Sequence, residues 1–441
     1  MKAQNKSLRR TPDLVKKSKW LVAIPLFALL IKVFLIFRIE SGIWYGADAE
    51  SYLEGGDGFL FDGFYSDNVK LSYLPAGYSY FLFLFAKINL SYFSYAVSIF
   101  QSVVFALATY LLSRLIAQLG YRTFAIAVSL LISINLTLSL SSLVIGYENI
   151  VASLIAIAVV LLINASRSKS SKVRIYSVGV SMLSISLASA MQPRYLLLGI
   201  GILIVYLFFI KDNKTRVVLL VLGLMASLVF PSIFAFRNNE VIKHPVISYN
   251  LGYTMKIGAG DETKGGFNRT GKDLQCGAPS TDPVLADQQA VSCVISWYLS
   301  NPLQAIRLSY NKSIYYWSPW FGVLAEGTMA RNPWVSISPV IKMAANPETR
   351  SLVMGNLGKT ISYIWIFSQL VMVFFGYREL RKRGSFEKLL ANLAGVSILL
   401  SWITSLATIG DHRFRIPTMF LSLMLQAIAL ESLRHRFSKV V

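Results

Sequence analysis

Charge is what this chain has least of. Asp, Glu, Lys and Arg make up 15% of its 441 residues, well under the quarter usual in soluble domains, and mean hydropathy is +0.54. That excludes a water-soluble globular protein. Acid is scarcer still: 22 Asp and Glu stand against 43 Lys and Arg, a net charge of +21. In a soluble protein such an excess suggests nucleic acid. Here the cations sit in short connections between apolar runs, as in the cytoplasmic loops of membrane proteins, so no nucleic-acid partner is expected. Histidine occurs only as His244, His412 and His435, too scattered for metal-ligand spacing. No repeat of fixed period, low-complexity tract or pair of inverted halves is visible. GNLGKT at 355–360 is not a phosphate-binding loop, because the first glycine of that motif would fall on Val353.

What the chain has in abundance is apolar runs of about 20 residues, the length that crosses roughly 30 Å of hydrocarbon. The expected architecture is an all-α polytopic membrane protein with about 10 transmembrane helices. Residues 1–19 carry Lys2, Lys6, Arg9, Arg10, Lys16, Lys17 and Lys19 and are cytoplasmic by the positive-inside rule. The run after them is too long for a signal peptide and lacks a cleavage site, so it is an uncleaved first span. Spans are expected over residues 20–38, 91–113, 124–143, 150–163, a fifth reaching 191, then 195–210, 217–235, 361–375, 389–409 and 416–429. Every short cationic loop then falls on one side, and both termini are cytoplasmic.

The remaining segments are less regular. Residues 74–86 (LPAGYSYFLFLFA) are apolar and aromatic but short for a crossing, and are placed at the outer interface. Residues 236–300 are polar, Gly-rich and without helical periodicity, which predicts an irregular outer loop or small cap. Residues 301–325, with Tyr315, Tyr316, Trp317 and Trp320, form an interfacial helix. The expected plan is a cytoplasmic N-terminus (1–19), a transmembrane module (20–235) holding the first outer loop (39–90), an extracytoplasmic region (236–357), C-terminal transmembrane helices (358–433) and a cytoplasmic tail (434–441). Cys276 and Cys293, the two cysteines, share the outer region, where an oxidising compartment favours a bridge between them.

The scarce acids are not spread evenly. Asp48, Glu50, Glu54, Asp57, Asp62 and Asp67, six of the 22, fall between Tyr45 and Pro75 in the first outer loop. A wet, charged loop accounts for Glu54, Asp57, Asp62 and Asp67. Asp48 lies nearest the membrane, where partial desolvation raises a carboxylate's basicity and suits it to act as a general base on a hydroxyl. Tyr52, four residues on, shares its face if GADAESYLEGG is a short helix bounded by Gly46 and Gly55-Gly56. Glu148 opens the fourth span in VIGYENIVASL, a costly position unless it is paired or in a polar cavity; an acid at a helix N-terminus also gains from the helix dipole. Lys70, Arg194, Arg237, Lys312, Arg413 and Arg415 all fall on the outer side. Positive-inside bias makes outer cations at span ends unexpected. Together they suggest a bound phosphate at headgroup depth, while each alone also fits a snorkelling interface residue.

Taken in order, these features form a series. Asp48-x-x-x-Tyr52 follows the first span, and the aromatic LPAGYSYFL leads to the second. Glu148 opens the fourth, QPRYLLL (Arg194) the sixth, and FRNN (Arg237) follows the seventh. The loop ISYNLGYTMKIGAG…GGFN comes next, then Asn301-Pro302 with Lys312 and Trp317, and DHRFRIP (Arg413, Arg415) opens the last. The series resembles the bacterial polyprenyl-phosphate-sugar-dependent glycosyltransferases of the GT-C fold, a group that includes protein O-mannosyltransferases and lipid A aminoarabinose transferases. The resemblance runs through nearly the whole chain. It departs from the aminoarabinose transferases, which place Glu-Lys before Pro-Pro where this chain has Tyr73-Leu74-Pro75. It departs from the mannosyltransferases, which have Asp-Glu where this chain has Asp48-Ala49-Glu50.

The resemblance implies a glycosyltransferase in the bacterial inner membrane with an extracytoplasmic active site. The donor would be a polyprenyl-phosphate-linked sugar and the acceptor a hydroxyl of a glycan, lipid or protein. Asp48 would be the catalytic base of an inverting transfer, with Glu148 orienting hydroxyls and Tyr52 and Glu50 contacting substrate. The six outer cations would face the leaving phosphate. No cofactor is required; a divalent cation is allowed by the site but not demanded by it. Two other readings stay open. A lipid or polysaccharide transporter or flippase explains the spans and outer cations but not the acidic loop, and it would place charges in mid-span. A glycan ligase would carry more Arg and His in its large outer loop.

Overall fold

A backbone in hydrocarbon must bond to itself, and the long apolar runs accordingly fold as helices. The computed structural model describes residues 19–46, 48–267, 273–319, 343 and 346–438. The expected cytoplasmic residues 1–18, Asn268 of GGFN, Trp320 of the interfacial stretch and Lys439 of the tail lie outside the described residues.

In chain order the elements are α1 (Trp20–Ile36), β1 (Trp44–Tyr45), α2 (Ala49–Phe61), α3 (Lys70–Tyr73), α4 (Gly77–Ile88) and α5 (Phe93–Gln118). Then come α6 (Arg122–Ile134), α7 (Leu136–Leu140), a 3-10 turn (Ser141–Leu143), β2 (Val144–Ile145), α8 (Glu148–Arg167), α9 (Ser171–Met191), α10 (Arg194–Phe209) and α11 (Asn213–Ile242). The region expected on the outer side, called the outer region below, holds α12 (Leu251–Ile257), α13 (Pro283–Ser300), α14 (Pro302–Trp317) and α15 (Pro347–Met354). The chain ends with α16 (Asn356–Arg381), α17 (Ser385–Ala407), a second 3-10 turn (His412–Thr418) and α18 (Met419–Phe437).

Among the described residues seven helices are long and apolar enough to cross a membrane, or eight if α6 and the turn after it are one span bent by 59° at Asn135. The shorter α1 and α10 occupy the places of expected spans one and six. Expected span three is thus broken rather than continuous. The Asn135 side chain accepts from the Leu138 amide at 3.0 Å and starts the second piece. α8 and α18 form the centre, their most apolar windows 72% and 83% buried, while α16, at 17%, lies at the periphery. Ala152, Ala156 and Ala158 on α8 are fully buried, and such small residues allow close helix approach where lipid provides no hydrophobic drive.

Two expectations need correction. Residues 236–300 are not irregular: α11 runs on to Ile242, and α12 and α13 follow. α13 buries only Val284, Ala290 and Val294, a stripe too narrow to show as periodicity. Asp282 caps it by accepting from the Val284 amide at 2.8 Å, with Pro283 opening the helix. Gly55-Gly56 does not bound a helix but sits inside α2, because a Cβ at Gly55 would lie 2.7 Å from Ser79 Oγ of α4. One charge does lie within a span. Lys32 of α1 is buried, with Nζ 3.3 Å from the Phe105 ring centroid.

The two ends of the bundle differ. At one end Arg167 donates to Gln118 at 3.2 Å, the Arg383 guanidinium lies 4.4 Å from the Tyr121 ring, and Arg436 meets Glu379 at 2.7 Å. The other end carries β1, β2 and the outer region. There Cys276 and Cys293 are joined by a disulfide. Arg237, inside α11 rather than after it, is fully buried. Its guanidinium donates to Phe64 O (3.1 Å), Leu71 O (3.3 Å), Ser72 Oγ (3.0 Å), Asn238 Oδ1 (2.6 Å) and Ser66 O. Asn238 in turn donates to Val246 O at 2.7 Å. The Arg-Asn pair thus fastens the first outer loop to α11 and to the start of the cap.

Arg237→Met strips these buried oxygens of their donor, and each loss of that kind costs about 1–3 kcal/mol. The variant is expected to melt well below the parent in thermal unfolding of the detergent-solubilised protein, with Arg237→Lys falling between.

Candidate active site

The site begins with a pair of two-residue strands. β1 and β2 run parallel, Trp44 opposite Val144 and Tyr45 opposite Ile145. Each strand is followed by a glycine, Gly46 or Gly146, and two residues later by a carboxylate, Asp48 or Glu148. Asp48 is the N-cap residue of α2 and Glu148 the first residue of α8. Two acids a hundred residues apart therefore occupy matching places, each at a helix N-terminus where the dipole favours negative charge.

Between them lies Arg413. Its Nη1 is 2.8 Å from Asp48 Oδ2, and its Nε is 3.6 Å from Glu148 Oε1. The side chains of Arg413 and Glu148 are 13% and 12% exposed, that of Asp48 36%. Asp48 is the most open of the three. Arg413 is aimed by the 3-10 turn: its own amide donates to Asp411 Oδ1 at 2.9 Å. The turn is anchored from the outer region, where the Gly410 amide donates to Gly265 O at 2.8 Å. A Cβ at Gly410 would lie 2.5 Å from Lys312 Cα, so only glycine permits this approach.

Arg194 joins from the start of α10. It donates to the Tyr147 hydroxyl at 3.3 Å, and its guanidinium lies 3.8 Å from the Phe414 ring centroid, with that of Arg413 5.3 Å from the same ring. Arg194 Nη1 is buried without a hydrogen-bond partner. The Tyr52 ring stands edge-on to Tyr147 at 6.4 Å. Burial pushes the Tyr52 hydroxyl well above its ordinary pKa, and Asp48, Tyr147 and Glu148 add to the rise while Arg413 opposes it. Burial raises Tyr147 too, against a nearby Arg194. Both stay neutral phenols, able to donate but not to act as bases at neutral pH.

The structure thus gathers Asp48, Tyr52, Glu148, Arg194 and Arg413. Other expected residues are placed differently. Lys312 Nζ donates to Tyr298 Oη (2.7 Å), Leu406 O (2.9 Å) and Thr408 O (2.5 Å). All three ammonium protons are taken, and Lys312 anchors the end of α17. Arg237, expected to face phosphate, is likewise engaged by the 64–72 loop. Lys70 makes a 3.8 Å pair with Glu54 in the open, an arrangement worth little, and Glu50 is exposed on α2. Arg415 donates to Trp317 O at 3.1 Å, but its Nε is buried without a partner. Tyr147 and Phe414 were missed by sequence reasoning. One signal could have found the first: W-Y-G-x-D and V-I-G-x-E are the same pattern in two places. Among the described residues no group of three or more His, Cys, Asp or Glu could hold a metal ion.

Trp317 also lines an apolar cavity of about 670 Å³ between α10, α16, α17 and α18. Its rim residues Phe208, Phe374 and Leu399 are exposed, so it opens sideways.

No protein-family model matches the chain, and no curated protein matches it in sequence. Solved structures do. The archaeal oligosaccharyltransferase AglB from Archaeoglobus fulgidus, in complex with an inhibitory peptide and a dolichol-phosphate, superposes with a TM-score of 0.52 at 14% identity over 96% of this chain and 52% of that one. The apo form of the Archaeoglobus fulgidus oligosaccharyltransferase gives 0.52 at 13% over 95% and 51%. Its complex with Zn and sulfate gives 0.50 at 15% over 94% and 49%. The fold is GT-C. At such identity the likeness carries the fold alone, and this GT-C chain spans about half the length of the structures it matches.

Arg413→Gln leaves Asp48 and Glu148 facing each other uncompensated. The expected loss is about 3 kcal/mol, the low end for broken buried pairs because Asp48 is a third open to solvent. Adding Asp48→Asn removes one charge, so the double variant is expected to melt above Arg413→Gln alone.

Proposed function

We propose that the chain is an integral membrane glycosyltransferase that moves a sugar from a lipid-phosphate donor to a hydroxyl acceptor. One observation carries the reading: a part-open carboxylate, Asp48, shares a guanidinium with a second carboxylate beside a part-buried arginine, Arg194, whose Nη1 is buried without a hydrogen-bond partner. The GT-C fold supports it. The donor's polyprenyl tail lies in the sideways-opening apolar cavity, and its phosphate draws Arg413 and Arg194 to itself, with Arg415 at the cavity's Trp317 end. Arg413 then releases Asp48. Asp48 takes the proton of the acceptor hydroxyl as that oxygen bonds to the anomeric carbon. The bond from that carbon to the phosphate oxygen breaks, and its electron pair leaves with the phosphate as a monoester. Attack opposite the leaving group inverts the anomeric centre. The leaving group needs no proton, only fixed cations facing its growing charge. Glu148 and the Tyr52 hydroxyl hold sugar hydroxyls.

The basic end of the bundle is cytoplasmic by the positive-inside rule. On this reading the site, the disulfide and the cap face the extracytoplasmic side, and the resemblance to the bacterial enzymes makes the membrane a bacterial plasma membrane. A second reading, a ligase that transfers a whole lipid-linked glycan, is favoured by the neighbours being oligosaccharyltransferases.

Membranes holding the protein are incubated with radiolabelled polyprenyl-phosphate monosaccharides and, separately, with diphosphate-linked glycans. Label from the first donor is expected to move to a new acceptor; movement only from the second selects the ligase. Asp48→Asn should cut transfer by at least about a hundredfold with insertion unchanged, and normal turnover in that variant removes Asp48 as base. Arg194→Gln should raise the donor KM by about tenfold, the loss of one charge-assisted contact. An epitope tag between Gly63 and Val69 should be reached by antibody only from the extracytoplasmic side.

A further inference from the structure

The two carboxylates come from segments a hundred residues apart, yet their spacing around Arg413 must hold to a fraction of an ångström for one guanidinium to serve both. Two strand residues on each side are a weak brace. A third element completes it. Tyr78, near the start of α4, is fully buried. Its hydroxyl donates to Gln101 Oε1 at 3.1 Å and accepts from the Gly146 amide at 2.9 Å. Gln101 Nε2 then donates to Ser142 O at 3.0 Å and Val144 O at 3.1 Å. The pair therefore grips the turn before β2, the first residue of β2 and the glycine that turns the chain towards Glu148.

The other side of Tyr78 faces the Asp48 segment. Its ring meets Tyr52 edge-on at 5.1 Å. Tyr52 lies one helical turn from Asp48, its amide donating to Asp48 O at 3.1 Å. Tyr52 is also edge-on to Tyr147, the residue before Glu148. The ring of Tyr78 thus supports one carboxylate segment and its hydroxyl the other. Its hydroxyl is the donor to Gln101 and cannot also serve the reaction.

We infer that Tyr78 is a positioning residue that holds the Asp48 and Glu148 segments in register around Arg413. Tyr78→Phe keeps the ring against Tyr52 and removes the hydroxyl, so the Gly146 amide and Gln101 Oε1 lose their partner. Gln101→Leu removes the other half of the clamp and serves where Tyr78→Phe fails to fold.

The structural test needs no activity. Amide hydrogen exchange is measured by mass spectrometry on the full chain in lipid nanodiscs. Exchange in the segment 142–148 is expected to rise about tenfold in Tyr78→Phe, with the rest of the chain and the melting temperature close to the parent. Unchanged exchange there, or an even rise throughout, overturns the inference. The kinetic test rests on the glycosyltransferase reading. Tyr78→Phe should lower kcat about tenfold with the donor KM little changed, and have no further effect in a Glu148→Gln background, since groups acting as a unit are not additive. Additive losses overturn the link to Glu148. Absence of any transfer by the parent protein counts against the glycosyltransferase reading and leaves the exchange result to decide on Tyr78.

Discussion

One guanidinium between two carboxylates is the interaction around which this end of the molecule is arranged. Asp48 and Glu148 stand at two helix starts, and Glu148 is almost closed to water. Two partly desolvated carboxylates so placed repel, and the cost is met only by a cation that faces both. Arg413 does this from a third place in the chain. In the proposed mechanism the pairing also keeps Asp48 from acting as a base until something more anionic competes for the arginine. Both stability and the proposed chemistry therefore turn on the aim of a single side chain.

Much of the outer region makes sense as the support for that aim. Lys312 spends its three protons on Tyr298 and the end of α17. The Gly265–Gly266 loop pairs with Gly410 two residues before His412. On the other side, Arg237 and Asn238 tie the first outer loop and the chain at 246–247 to α11. Cations that look alike in the sequence divide into two groups. Lys312 and Arg237 complete their hydrogen bonds within the protein. Arg194 and Arg415 each keep a buried nitrogen without a hydrogen-bond partner, and Arg413 is held by two carboxylates. A ligand anion has most to gain from the second group, because an unsatisfied buried donor is costly to leave alone.

The legible part of the sequence was the part set by local rules. Apolar run length and the placement of Lys and Arg predicted the order of spans, and α1, α5, α8, α9, α10, α11, α16 and α17 lie where those runs are. Asp48, Glu148 and Arg413 were each marked as unusual for their place. What stayed hidden was of two kinds. α13 buries three residues, too few to make a stripe. Gly55-Gly56 reads as a break, and only the approach of Ser79 explains why α2 continues through it. The second kind was pairing: nothing in single positions says which of six outer cations has its protons already taken.

Hydrophobicity, charge asymmetry and motif order by themselves determined that the chain is a helical membrane protein with its unusual acids at one set of loops, since transfer into hydrocarbon and loop charge act residue by residue. Only the tertiary structure decided that Asp48 and Glu148 stand in register, that one arginine serves both, and that Tyr78 and Gln101 hold β2 in place. Those facts depend on contacts between segments well separated in sequence, and such contacts leave no period or spacing along the chain from which to read them.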